Sequence, residues 1–156
     1  MLFRSTLTTT NAQVTFNGTV NAEASEANAL TLSVGTSEVE FNGAVGGGTN
    51  GSLGAISITG ALDLNAAITS ASSLSVSTTS DLGANVTTSG IQTYTGAVTL
   101  SGGTRTLTGS TITTNGTLAG GTNSLTITGN AVFGDGTTDT VTGLTTLSVS
   151  GTSTIN

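Results

Sequence analysis

At 156 residues the chain is sized for one domain, and it carries 2 basic against 8 acidic side chains, a formal net charge of −6. Lys and Arg are the groups that grip phosphate backbones, so nucleic acid is excluded as a partner. With no Cys and no His, a disulfide framework and the usual zinc ligands are excluded as well.

Ser and Thr supply 55 residues and Gly another 23, a composition that often marks disorder. Here Pro and Lys are absent, and Thr, Val and Ile recur at alternate positions, which predicts ordered strands. The opening Met1-Leu2-Phe3-Arg4-Ser5-Thr6 lacks the continuous apolar stretch of a secretory signal. Apolar runs reach only about three residues, as at Ala131-Val132-Phe133, too short for a membrane-spanning helix.

Taken in chain order, the alternation predicts short strands at Val14–Phe16, Leu30–Val34, Val39–Phe41, Ile56–Ile58 and Leu62–Leu64. It continues through Leu74–Ser77, Val86–Thr88, Ile91–Tyr94, Val98–Leu100 and Thr106–Thr108. Thr111–Thr113, Leu125–Thr128, Val141 and Leu147–Val149 complete the series. Corners are expected at Gly46-Gly47-Gly48-Thr49-Asn50-Gly51, Gly102-Gly103, Asn115-Gly116 and Gly120-Gly121, where Gly and Asn supply positive φ. Asn21 to Ala29 could hold a helical turn and reads as a loop excursion, and no domain boundary is visible.

One phrase keeps returning: an apolar or aromatic residue, then Asn or Thr, then Gly. It stands at Phe16-Asn17-Gly18, Phe41-Asn42-Gly43, Ile58-Thr59-Gly60, Tyr94-Thr95-Gly96 and Ile127-Thr128-Gly129. Units of this kind cannot bury a face alone and must stack. The chain therefore reads as all-β, a single domain over residues 1–156 forming a parallel β-solenoid of about seven or eight rungs, given repeats on the order of 20 residues. A β-sandwich of short strands is the alternative, but it wants longer strands and large core aromatics, and the chain holds no Trp, 4 Phe and 1 Tyr. The five residues before those glycines are expected in comparable buried positions beside a corner.

The phrases Val39-Glu40-Phe41-Asn42-Gly43-Ala44-Val45, Gln92-Thr93-Tyr94-Thr95-Gly96-Ala97-Val98-Thr99-Leu100 and Gly120-Gly121-Thr122-Asn123-Ser124-Leu125-Thr126-Ile127 resemble the degenerate repeats of filamentous-haemagglutinin-like adhesins and autotransporter-type passengers. The likeness runs from about Val14 to Asn156. It implies a right-handed parallel β-helix, an extracellular or cell-surface location, and a stalk that attaches to surfaces or neighbouring cells. The chain would then be part of a longer repetitive exoprotein or a self-assembling fibre subunit, with surface glycans or proteins as partners. No receptor-binding residue of that family maps onto a motif here.

Catalysis is not expected. A Ser or Thr nucleophile needs a His or Lys base, and a Walker-type loop needs a Lys; the chain has neither residue. Glu38 and Glu40 stand two apart on one strand face, as paired carboxylates should, yet read as a solvated face; Asp63, Asp81, Asp135 and Asp139 are spread out, and Arg105 has no obvious partner. A carbohydrate-active β-helix is thus an unfavoured alternative, and no cofactor is expected. Asp135 and Asp139 flank a Gly turn that could offer calcium its oxygens, though a structural turn with Asp135 accepting backbone N–H bonds fits better.

Thr-X-Thr occurs at Thr104/Thr106/Thr108, Thr111/Thr113 and Thr126/Thr128, which suggests an ice-binding β-solenoid as another alternative. One pair per rung at constant spacing would be required, and these pairs are irregularly separated. Finally, the C-terminal Leu147-Ser148-Val149-Ser150-Gly151-Thr152-Ser153-Thr154-Ile155-Asn156 keeps the alternating pattern without an evident cap, so copies are expected to associate end to end into open filaments.

Overall fold

A computed structural model describes residues 4–47 and 51–156. The chain forms a single 15-stranded sheet in which strand partners run parallel, wound into a β-solenoid of about six turns, near the expected number of rungs. Hairpin-joined strands would pair antiparallel, so the sandwich alternative is overturned. Among the described residues there is no helix, and none long and apolar enough to cross a membrane. Residues 21–28 form the expected loop, and Ala29 already begins a strand; the loop is tightened by Glu26 N–H donating to Glu23 C=O and by Ser25 at φ 66°.

The strands are β1 (Arg4–Thr8), β2 (Val14–Phe16), β3 (Ala29–Phe41), β4 (Leu53–Leu64), β5 (Ile68–Val76), β6 (Ser80–Leu82), β7 (Val86–Thr88) and β8 (Gln92–Tyr94). After these come β9 (Val98–Leu100), β10 (Arg105–Thr114), β11 (Leu118–Ala119), β12 (Leu125–Phe133), β13 (Val141–Thr142), β14 (Leu147–Val149) and β15 (Ser153–Ile155). Several expected short strands fuse. Leu30–Val34 and Val39–Phe41 become the two halves of β3, and Ile56–Ile58 and Leu62–Leu64 those of β4, because the chain turns at Gly35 and Gly60 within a continuous strand, the pairing register shifting between Ser33 and Glu38. At the expected Gly46 corner φ is 71° and a Cβ would strike the Ser70 carbonyl, so only glycine fits; residues 48–50 of that phrase lie outside the described residues.

Three columns of strands line the solenoid. The first runs through Ser5, Leu30, Ile56, Leu74, Gln92, Ile112, Ala131 and Ser153. Successive members are 25, 26, 18, 18, 20, 19 and 22 residues apart, so coil length varies while the register holds. The second column stacks Val14, Val39, Leu62, Ser80, Val98, Leu118 and Val141. The third stacks Val20, Val45, Ile68, Val86, Leu107, Ile127 and Val149.

Alternation then sends every second side chain inward. Phe41, Ile58, Tyr94 and Ile127 are buried as expected, and Phe16 packs partly buried against them. They do not share one position: Phe16 and Phe41 belong to the second column, Ile58 and Tyr94 to the first, Ile127 to the third. The phrase marks the end of any column before any corner. The Phe16 and Phe41 rings stack with centroids 5.1 Å apart.

One coil has a polar interior. Fully buried Gln92 accepts from Tyr94 Oη at 3.0 Å through Oε1, and its Nε2 donates to Thr108 C=O at 2.8 Å. Burial pushes the Tyr94 phenol above its ordinary pKa, so it remains a neutral donor. Ser80 Oγ and Thr114 Oγ1, also turned inward, have no hydrogen-bond partner.

Candidate functional site

The outer side of the second column carries Glu38, Glu40, Asp63 and Asp81, half of the acids. Its outward register places Thr15 beside Glu40, Glu40 beside Asp63, Asp63 beside Asp81 and Asp81 beside Thr99. Asp63 and Asp81, expected to stand apart, are therefore stacked with the Glu38/Glu40 pair in adjacent coils. Their proximity depends on coil length, which the sequence does not display. A shallow groove of about 270 Å³ runs along this stack, lined by Glu38, Asp63 and Asp81 together with Thr79 and Thr99.

Side chains on this face are tied to one another. Gln13 Nε2 donates to Glu38 Oε1 at 3.0 Å and to Glu40 Oε2 at 3.2 Å, and Thr15 Oγ1 donates to Glu40 Oε2. At the adjoining corner Asn65 Nδ2 donates to Asn42 Oδ1 at 3.0 Å, and Asn42 Nδ2 to Asn17 Oδ1 at 3.1 Å, an asparagine ladder across three coils. Ser101 Oγ donates to Asp81 Oδ1 at 2.7 Å. Partial burial raises the Asp63 pKa above its usual value, with the nearby Asp81 and Glu40 charges adding to it and a hydrogen bond from Asn65 opposing.

Among the described side chains no basic group meets these acids. Arg105 begins β10 in the third column and donates through Nε to Gly103 C=O. Among the described residues no group of three or more carboxylates has the geometry to hold a metal ion. In the other acidic loop the expected roles are exchanged: Asp139, not Asp135, accepts the backbone N–H groups, from Asp135 and Gly136 at 3.1 Å each. Asp139 lies downstream of the amides it caps and can turn back on them, as a short side chain in a turn does.

The outer side of the first column is different in kind. Thr6, Thr31, Ser57, Ser75, Thr93 and Thr113 stack in one unbroken register. Two residues on, a second line runs beside it, through Thr8, Ser33 and Thr59 in paired register and then through Ser77 and Thr95, just past the ends of β5 and β8, where Ser77 N–H donates to Ile58 C=O and Thr95 N–H to Val76 C=O. Among the described residues, only Ser77 of these hydroxyls is engaged, accepting from Gly60 N–H at 3.0 Å. No Asp or Glu stands in either line.

The Thr-X-Thr pairs noted in the sequence divide between faces. Thr111/Thr113 lies in this column, while Thr106/Thr108 and Thr126/Thr128 pair with each other in the third. The longer array mixes Ser with Thr, so a Thr-X-Thr pattern does not display it. Irregular sequence spacing is absorbed by corners and loops, so hydroxyl pairs recur once per coil over five successive coils, from Thr6/Thr8 to Thr93/Thr95. In comparisons with protein-family models, with curated proteins and with solved structures, nothing matches this chain.

Proposed function

We propose that the chain is a non-catalytic structural and adhesive module, a stalk or fibre segment of an extracellular surface protein. The observation that carries this reading is the coil-to-coil ladder, in which backbone pairing and the Asn17–Asn42–Asn65 side chains join each coil to its neighbours. Such a quasi-one-dimensional stack makes a stiff rod with long side faces. Its hydroxyl-rich faces offer glycans many weak hydrogen bonds, while Phe16, Phe41, Tyr94 and Phe133 are turned towards the core. Electron microscopy of the purified chain tests the rod, and a glycan array tests adhesion. A compact or molten particle would overturn the first claim, and an array without a single hit the second.

Copies of this module stack end to end in the same proposal. Leu7 at one end, and Leu147 and Ile155 at the other, stand at strand ends with relative exposures of 41%, 42% and 77%. Stacking would place Ile155 of one copy against Leu7 of the next and extend the ladder. Concentration-dependent light scattering is expected to report open polymers, and a strictly monomeric chain at high concentration would refute the stacking.

A further inference from the structure

We infer that the hydroxyl face over the first column binds ice, a role beyond that of a stalk. Three observations converge on it. Thr31, Ser57, Ser75 and Thr93 occupy equivalent outward positions in consecutive coils, with Ser33, Thr59, Ser77 and Thr95 two residues on. Nearly all of these hydroxyls are unbonded within the protein, unlike the interlocked side chains over the second column. The acids lie elsewhere, on the second column and in loops, so the array itself is neutral.

The spacing gives this neutrality its meaning. Neighbouring parallel strands stand about 4.8 Å apart, and alternate residues of one strand about 6.6 Å. The first distance is too long for direct hydrogen bonds between hydroxyls and short enough for one bound water to bridge them. Each hydroxyl can donate one bond and accept two, and Thr is stiff about χ1. The backbone ladder thus holds a two-dimensional grid of water partners, with no charge to pull the layer into a radial hydration shell. A crystalline water surface is a ligand of matching character: neutral, periodic, and made of donors and acceptors. Crystalline polysaccharide is the competing ligand, but sugar faces are bound by stacking on exposed aromatics, and Tyr94 and Phe41 are fully buried.

The test measures thermal hysteresis and inhibition of ice recrystallisation by the whole chain. Alongside it run the variants Ser75→Lys/Thr93→Lys and Thr93→Tyr on the grid, and Thr99→Lys on the acidic face. Circular dichroism establishes which proteins are folded; Thr93→Tyr disrupts the grid by bulk alone should the double variant fail to fold. The expected result is growth arrest by the parent chain, its loss in the folded grid variants, and its retention in Thr99→Lys. Folded parent chain without growth arrest overturns the inference, as does arrest that survives in the grid variants or disappears equally with Thr99→Lys. Retention on microcrystalline cellulose or chitin without any effect on ice also overturns it, in favour of polysaccharide. The rod seen by microscopy is independent of all these outcomes.

Discussion

Over the second column Asn17, Asn42 and Asn65 bond to one another and Gln13 spans Glu38 and Glu40. Over the first column Thr31, Ser57, Ser75 and Thr93 stack in the same parallel ladder with no side-chain partners. The faces also differ in what lies behind them. Stacked Phe16 and Phe41 back the acidic face, whereas the buried Gln92–Tyr94 network backs the hydroxyl face. Identical backbone geometry thus supports one face that is cross-braced and one left open to solvent, and side-chain choice alone makes the difference.

Four stability changes and one pH response would sharpen that contrast. The largest is expected behind the acidic face: Phe41→Ala removes a fully buried ring and should cost about 3–5 kcal/mol in denaturant unfolding. Behind the hydroxyl face, Gln92→Leu leaves the fully buried Tyr94 Oη without its acceptor. It should cost about 1–3 kcal/mol, with Tyr94→Phe in the same background restoring part of the loss.

On the acidic face, Asn42→Ala breaks the middle of the asparagine ladder. A loss of about 1 kcal/mol in chemical unfolding is expected. A smaller effect of definite sign belongs to Asp63. Its pKa is raised in the folded state, so the folded chain binds the extra proton more readily than the unfolded one. This contribution makes the protein more stable as pH falls from above the folded value towards the ordinary 3.8. Asp63→Asn should abolish that part of the pH slope in melts recorded across pH 3 to 6 (roughly the range in which carboxylates titrate). Smallest of all is Ser75→Ala on the open face, expected within about 0.5 kcal/mol of the parent in a thermal melt because it breaks no bond. A larger loss would mean that the hydroxyl column is braced after all.

Much of the fold was legible because period-two alternation survives in nearly every coil: Val14–Phe16, Val86–Thr88, Val98–Leu100 and Leu147–Val149 are strands with the expected bounds. Strands built on weak formers were missed. Ser80–Leu82 owes its place to neighbours on both sides, Leu62–Leu64 and Val98–Leu100, rather than to its own composition. The faces were less legible than the strands. Glu40, Asp63 and Asp81 meet only because two corners of different length bring their coils into register, and alternation says nothing about corner length. Glu38 and Glu40 could be placed together from the sequence because a single strand fixes their relation, and Gln13 bridges them.

Unequal coils leave a mechanical signature. Pulled along its axis, a solenoid sheds coils from its ends, each release freeing the chain between one ladder position and the next. Between Leu30 and Ile56 that is 26 residues and between Ile56 and Leu74 it is 18. An extended chain gains at most about 3.3–3.6 Å per residue, so the two steps would lengthen the tether by roughly 90 and 60 Å. A force–extension trace of this protein would therefore be a barcode, its uneven rungs spelling out the order in which the coils let go.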